Sequence, residues 1–139
     1  MIFWDSSAIT PLLVTEKGSS LREEQLSQNA ALVVWYGTLA EIESALNRRR
    51  REGALSRTAE KNARGRLELL EGSWVEVQPT VVVRERAVRL LRTHPLRAAG
   101  AFQLAAGLIV CEERTRGFRF LTGDQRLREA AESEGFSVE

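Results

Sequence analysis

The chain has 139 residues, 43% of them hydrophobic, which is the length and apolar content of one domain with its own core. Its 20 basic and 19 acidic residues give a formal net charge of +1, which argues against a generally cationic nucleic-acid coat and leaves a local basic patch as the route to phosphate. One cysteine, Cys111, excludes an internal disulfide and a cysteine-rich zinc site, and together with an acid rather than a basic leader near the start it points to a reducing, cytoplasmic setting.

In chain order, the apolar run Ile2-Phe3-Trp4 stops at Asp5-Ser6-Ser7, residue types that cap helices, so a strand should run into a helix. A polar helical stretch over Ser20–Gln28 leads to "ALVVW" (31–35), a continuous apolar strand of the buried kind. "GTLAEIESALNRRRREG" is helical by composition and ends at Gly53, a plausible left-handed stop. A further helix runs from Ser56 to about Leu70, and "SWVEVQP" alternates like a strand until Pro79. Residues 81–93 form a helix with Val81, Val88 and Leu91 on one face. After the break at His94-Pro95, the stretch Ala98 to Cys111 is too short for the roughly 20 residues of a bilayer span and carries Gln103, so it reads as a core helix, with no membrane segment. "FRFLTGD" is a strand running into a helix at Asp124, and "FSVE" fits a last short edge strand.

Strands alternating with helices predict a three-layer α/β/α domain over 1–139 with a largely parallel central sheet. Functional groups of such sheets collect at the carboxyl ends of the strands, which selects Asp5 and Asp124. Glu41, just inside the helix after "ALVVW", is not selected by that rule. Acids converging on one mouth suit a hard divalent cation, Mg2+ or Mn2+, and water activated there attacks phosphodiesters. Each acid also has a purely structural reading: Asp5 and Asp124 sit where an N-cap belongs, and Glu41 complements a helix dipole. The only histidine, His94, reads as a solvated turn residue, and neither GxxxxGK[ST] nor GxGxxG occurs.

Together, "MIFWDSSAI", "WYGTLAEIESAL", "HPLRAAGAFQLAAGL" and "FLTGDQRLREAAESEGF" resemble, in order and over nearly the whole chain, the PIN domain of VapC-type toxin ribonucleases. The resemblance implies a PIN fold, Mg2+- or Mn2+-dependent cleavage of RNA, homodimerisation and inhibition by a cognate antitoxin. Position by position it places the family acids on Asp5, with Ser7 as the nearby hydroxyl, on Glu41 after Thr38, and on Asp124 after Thr122. Glu43 is a rival that periodicity alone does not remove, although two helical steps turn a side chain by about 200° and so prevent both from facing one ion. The remaining family aspartate falls on Gly100. Glu112 and Glu113 are no substitutes, lying about 18 Å along the same helix.

Three accounts of Gly100 stay open: a naturally weakened homologue, an introduced substitution that makes a toxic nuclease tolerable, or close packing shared with Gly107. Arg97 and Arg126 are the candidates for guiding an RNA phosphate, while the run Arg48–Arg51 fits either a solvated face or phosphate contact. Leu12, Leu13 and Val14 fit a partner surface or the core equally. Two functions follow: a metal-dependent ribonuclease toxin using Asp5, Glu41 and Asp124, weakened at Gly100, or a non-catalytic module of the same fold that binds antitoxin or RNA.

Overall fold

A computed structural model describes residues 1–28 and 31–139. Four three-residue strands, β1 (Ile2–Trp4), β2 (Val33–Trp35), β3 (Val75–Val77) and β4 (Arg119–Leu121), pair in parallel in the order β3-β2-β1-β4. Helices α1 (Ser6–Leu13) and α2 (Ser19–Gln28) join β1 to β2, and α3 (Thr38–Arg51) and α4 (Arg57–Glu71) join β2 to β3. The chain returns to β4 through α5 (Val81–Thr93) and α6 (Ala98–Val110), and α7 (Gln125–Ser133) follows. This is the expected α/β fold with a parallel sheet.

Strand alternation divides the core in two. Phe3, Val33, Trp35 and Phe120 point to one face and pack with Val83, Ala87 and Leu90 of α5, the apolar side of α6, and Leu127, Ala130 and Ala131 of α7. Ile2, Trp4, Val34 and Leu121 point to the other, against α1, Ile42 and Leu46 of α3, and Ala63 and Leu67 of α4. Leu12 and Leu13 are core residues in this layer. The register that sets Phe3 beside Phe120 stacks their rings at 5.0 Å. Because the first two crossovers cover one face and the third covers the other, the chain changes side next to β1, and the crevice at such a switch opens at the carboxyl ends of the strands.

Two local expectations are corrected. "FSVE" forms no strand: Ser137 makes one isolated parallel bridge to Arg119, and Phe136 turns its ring into the core, 5.4 Å from that of Phe120. His94 is not a solvated turn residue, since its side chain is 10% exposed and its Nε2 lies 3.0 Å from Glu134. Arg86 binds Glu134 at 2.9 Å and Glu113 at 2.7 Å, so this polar cluster ties α5 to α7 and to the turn after α6. Pro95 ends the helix as expected, but tertiary packing recruits the ring beside it.

The two glycines of α6 differ. A Cβ on Gly107 would lie 3.1 Å from the Phe120 ring and 3.4 Å from that of Phe136, so the helix approaches the sheet through this residue. A Cβ on Gly100 would meet only Leu96 at 3.8 Å and Leu127 at 4.0 Å, ordinary contacts, and its φ is not positive. Neither space nor backbone requires glycine at 100. We expect Gly107→Leu to lower stability by about 1–3 kcal/mol, the usual range for overpacking, measured as a shift in the urea midpoint; an unchanged midpoint would show that the interface has slack.

Candidate active site

The site is built from the bottom of the crevice upward. β1 ends at Trp4, and Asp5 follows in extended conformation as the N-cap of α1, its carboxylate accepting from the Ser7 N–H at 3.3 Å. The Ser7 hydroxyl also donates to Asp5 Oδ2, and Thr122 Oγ1 donates to the same oxygen at 2.8 Å. In turn Ser7 Oγ accepts from Gly123 N–H at 2.8 Å and Thr122 Oγ1 from Asp124 N–H at 3.0 Å, so one network locks the ends of β1 and β4 together. Burial raises the Asp5 carboxyl above its ordinary pKa, against the lowering effect of the Ser7 and Thr122 hydrogen bonds.

Glu41 enters from α3, in the first turn after Thr38. Its Oε1 accepts from Ser6 Oγ at 2.9 Å, and the same hydroxyl lies 3.4 Å from Asp5 Oδ1, so Ser6 stands between the two carboxylates. Its Oε2 accepts from Gln103 Nε2 at 3.1 Å. Burial raises the Glu41 pKa, the Ser6 bond opposes this, and the negative charge of Asp5 adds to the rise. Glu43 points elsewhere, with both oxygens on Arg64 Nη1 at 2.7 and 2.8 Å. The rotation of about 200° between them separates a paired surface acid from one inside the crevice.

Asp5, Glu41, Gly100 and Asp124 line one cleft of about 540 Å3, together with Ser6, Ser7, Arg97 and Arg126. Asp124 also caps α7, its Oδ1 accepting from Leu127 N–H at 3.1 Å. Asp5 and Glu41 are therefore a close pair, Asp124 has one oxygen engaged in the fold, and among the described residues no three acidic, histidine or cysteine side chains close into the ligand shell of one ion. Gly100, in the first turn of α6, contributes open space on the cleft wall. The N-cap of that helix, Arg97, makes no side-chain capping bond, so the positive end of α6 faces the cleft. Glu112 and Glu113 lie beyond the far end of α6, with Glu113 paired to Arg86.

Sequence reasoning missed three polar residues. Gln103 is fully buried, three positions after Gly100 on the same face of α6, and its amide donates to Thr38 Oγ1 at 3.0 Å as well as to Glu41. A lone amide in an apolar helix was the available signal. Ser6 had none beyond its place next to Asp5. Arg22, on α2, reaches the Thr122 carbonyl at 3.0 Å and braces the loop that carries Asp124; no local pattern announces a contact across 100 residues.

A buried carboxylate, Asp5, whose charge raises the pKa of half-buried Glu41 beside it, with no basic partner between them, is the kind of donor pair a hard cation takes, and Mg2+ is typically held by one or two carboxylates plus water and substrate phosphate. The residues present fit such an ion.

Known proteins supply a separate line of comparison. No family model matches the chain. Ribonuclease VapC45 and Ribonuclease VapC49, from two strains of Mycobacterium tuberculosis, are each 31% identical to it over 147 aligned residues, covering 99% of this chain and 94% of theirs. Among solved structures, PAE2754 from Pyrobaculum aerophilum superposes with a TM-score of 0.66 at 19% identity, covering 99% of this chain and 81% of that one. FitAcB from Neisseria gonorrhoeae gives 0.65 at 16% identity, covering 99% and 96%. Those two likenesses concern the fold, whereas the full-length sequence relatives fix the family: the chain belongs to the VapC ribonucleases of the PIN-domain fold.

Proposed function

We propose that this protein is a Mg2+- or Mn2+-dependent endoribonuclease, the cytoplasmic toxin of a toxin–antitoxin pair, with activity reduced because Gly100 stands where a fourth carboxylate belongs. The observation that carries the reading is the pairing of Asp5 with Glu41 through Ser6 in a cleft that also holds Asp124, Arg97 and Arg126. Asp5 and Glu41 would hold the ion, and Asp124 would add to it through the oxygen not used in capping. A divalent ion there supplies an activated water at neutral pH and neutralises charge on the phosphodiester. The chain's own residues do the rest. Ser6 and Gln103 hold Glu41 from both sides, Ser7 and Thr122 hold Asp5, and Arg97, Arg126 and the uncapped start of α6 attract the phosphate.

The family supports an antitoxin as partner, and exposed Val81, Val82, Val88 and Leu91 on α5 offer apolar surface to a second copy. Among the described residues no helix is long and apolar enough to cross a membrane.

The absence of a three-acid convergence, together with Gly100, favours a second reading in which the fold binds antitoxin or RNA without cutting. Incubation of labelled RNA with the wild-type chain separates them. Slow cleavage with Mn2+ that stops with EDTA and in Asp5→Asn supports the nuclease; cleavage that survives Asp5→Asn removes these residues from the chemistry.

A further inference from the structure

The run Arg48–Arg51 has no role in the site as described, yet its members are not equivalent. Arg49 pairs with Glu16 at 3.0 Å and Arg50 with Glu60 at 3.8 Å. Among the described residues Arg48 makes no ion pair, and it is exposed. It lies seven positions after Glu41, which returns it to the same face of α3 about 10.5 Å further along the axis. Ser44 falls between them on that face.

These residues line a second cleft, of about 310 Å3, which shares Ser6, Ser7 and Glu41 with the main one. The two clefts therefore meet at Glu41, beside the Ser6 hydroxyl that stands between it and Asp5. Beyond the meeting point one arm carries Arg97 and Arg126 and the other carries Arg48. Among the described residues that line the Arg48 end, Glu16 is the only carboxylate, and it is already neutralised by Arg49. An anionic chain entering along one arm thus finds cations on both sides of the acidic centre, the unpaired one on α3 set two helical turns beyond Glu41.

We propose that Arg48, with Ser44 beside it, is a subsite for a phosphate of the RNA strand neighbouring the one at the acids, and that the strand crosses the molecule from the Arg97/Arg126 arm to the α3 arm. This rests on the reading of the protein as an RNA-acting enzyme and extends it by giving the substrate a path and a second point of attachment. The C-terminal end of a helix tolerates a basic residue for its dipole alone, but four arginines supply that, and only Arg48 among them is both unpaired and in the cleft.

Binding without cleavage isolates the subsite. A short fluorescein-labelled single-stranded RNA is titrated by anisotropy in EDTA at about 50 to 200 mM salt, since one phosphate contact on a single strand adds about 0.7 to the slope of log affinity against log salt. Arg48→Ala is expected to reduce the slope by about that amount and to weaken binding about fivefold at 0.1 M salt, the effect of one released counterion. Arg48→Lys should keep the slope. Arg116→Ala, an exposed arginine before β4 and so at the opposite end of the sheet, should bind like wild type. A wild-type slope in Arg48→Ala, with a reduced one in Arg97→Ala, overturns the subsite and leaves the nuclease reading standing. Failure of the wild-type chain to bind RNA even at the lowest salt overturns both.

Discussion

Gly100→Asp should raise RNA cleavage in Mn2+ by about 10- to 100-fold over the wild-type chain, and the double variant Gly100→Asp/Asp5→Asn should return to background. The size follows from what ligand shells are worth: outer partners alone change metal affinity or activity by that factor, and a direct carboxylate ligand matches it at least. The geometry permits the substitution. A Cβ at position 100 meets only Leu96 and Leu127 at ordinary contact distances, the backbone is helical, and the residue lines the cleft that holds Asp5, Glu41 and Asp124. An aspartate in the first turn also suits the helix dipole, which wild-type α6 leaves without a capping side chain. Fold damage is therefore not the expected confounder, and the measurement pairs initial rates with Mn2+ titration by calorimetry. Tighter Mn2+ binding without cleavage would locate the defect beyond the metal and favour the binding module. No change in either would show that Gly100 is not a lost ligand position.

What the sequence made legible depends on how local each signal is. Apolar runs such as Ile2–Trp4, which ends at the capping residue Asp5, and 31–35 place the strands, and the rule that sites form at strand carboxyl ends then selects Asp5 and Asp124. Caps at Asp5, Ser56 and Asp124 act within three residues, so the starts of α1, α4 and α7 could be read directly. Glu41 was reachable only through the family spacing, because two helical acids two residues apart differ in face and the sequence does not say which face is inward. The sheet order, Gln103 on Glu41 at a separation of 62 residues, and His94 on Glu134 at 40 are set by packing, and no window of periodicity contains them. The glycines show the same limit. Gly100 and Gly107 look alike seven residues apart, and only the position of the Phe120 ring tells that one is needed for packing and the other is not.

Asp5→Asn should make the metal-free protein more stable at neutral pH and, in the same substitution, remove the stabilisation that divalent metal gives to wild type. Burial raises the Asp5 pKa in the folded state, and burial together with the Asp5 charge raises that of Glu41. A carboxyl whose folded pKa exceeds its unfolded one holds its proton more tightly in the native state, so its favourable contribution is full below the ordinary carboxylate range and is lost as pH rises through the folded value. Both carboxyls therefore support the fold less at neutral pH than at low pH unless a cation is present. Asparagine caps a helix as well as aspartate: with its carbonyl oxygen in the place of Asp5 Oδ2 it still accepts from the Ser7 N–H and from the Ser7 and Thr122 hydroxyls, and its amide then points toward Ser6 Oγ. In EDTA we expect Tm at pH 7 to rise by about 2–6 °C, in the range of single stabilising substitutions, and the gap from wild type to narrow toward pH 4. With Mn2+ at about a hundred times its Kd, wild type gains about 2.7 kcal/mol by mass action and Asp5→Asn gains little, so the order of the two proteins reverses. That crossing distinguishes a ligand from a cap. Were Asp5 chiefly the N-cap of α1 and an anchor for Ser7 and Thr122, asparagine would serve nearly as well, the variant would melt close to wild type in EDTA, and added Mn2+ would move both curves alike.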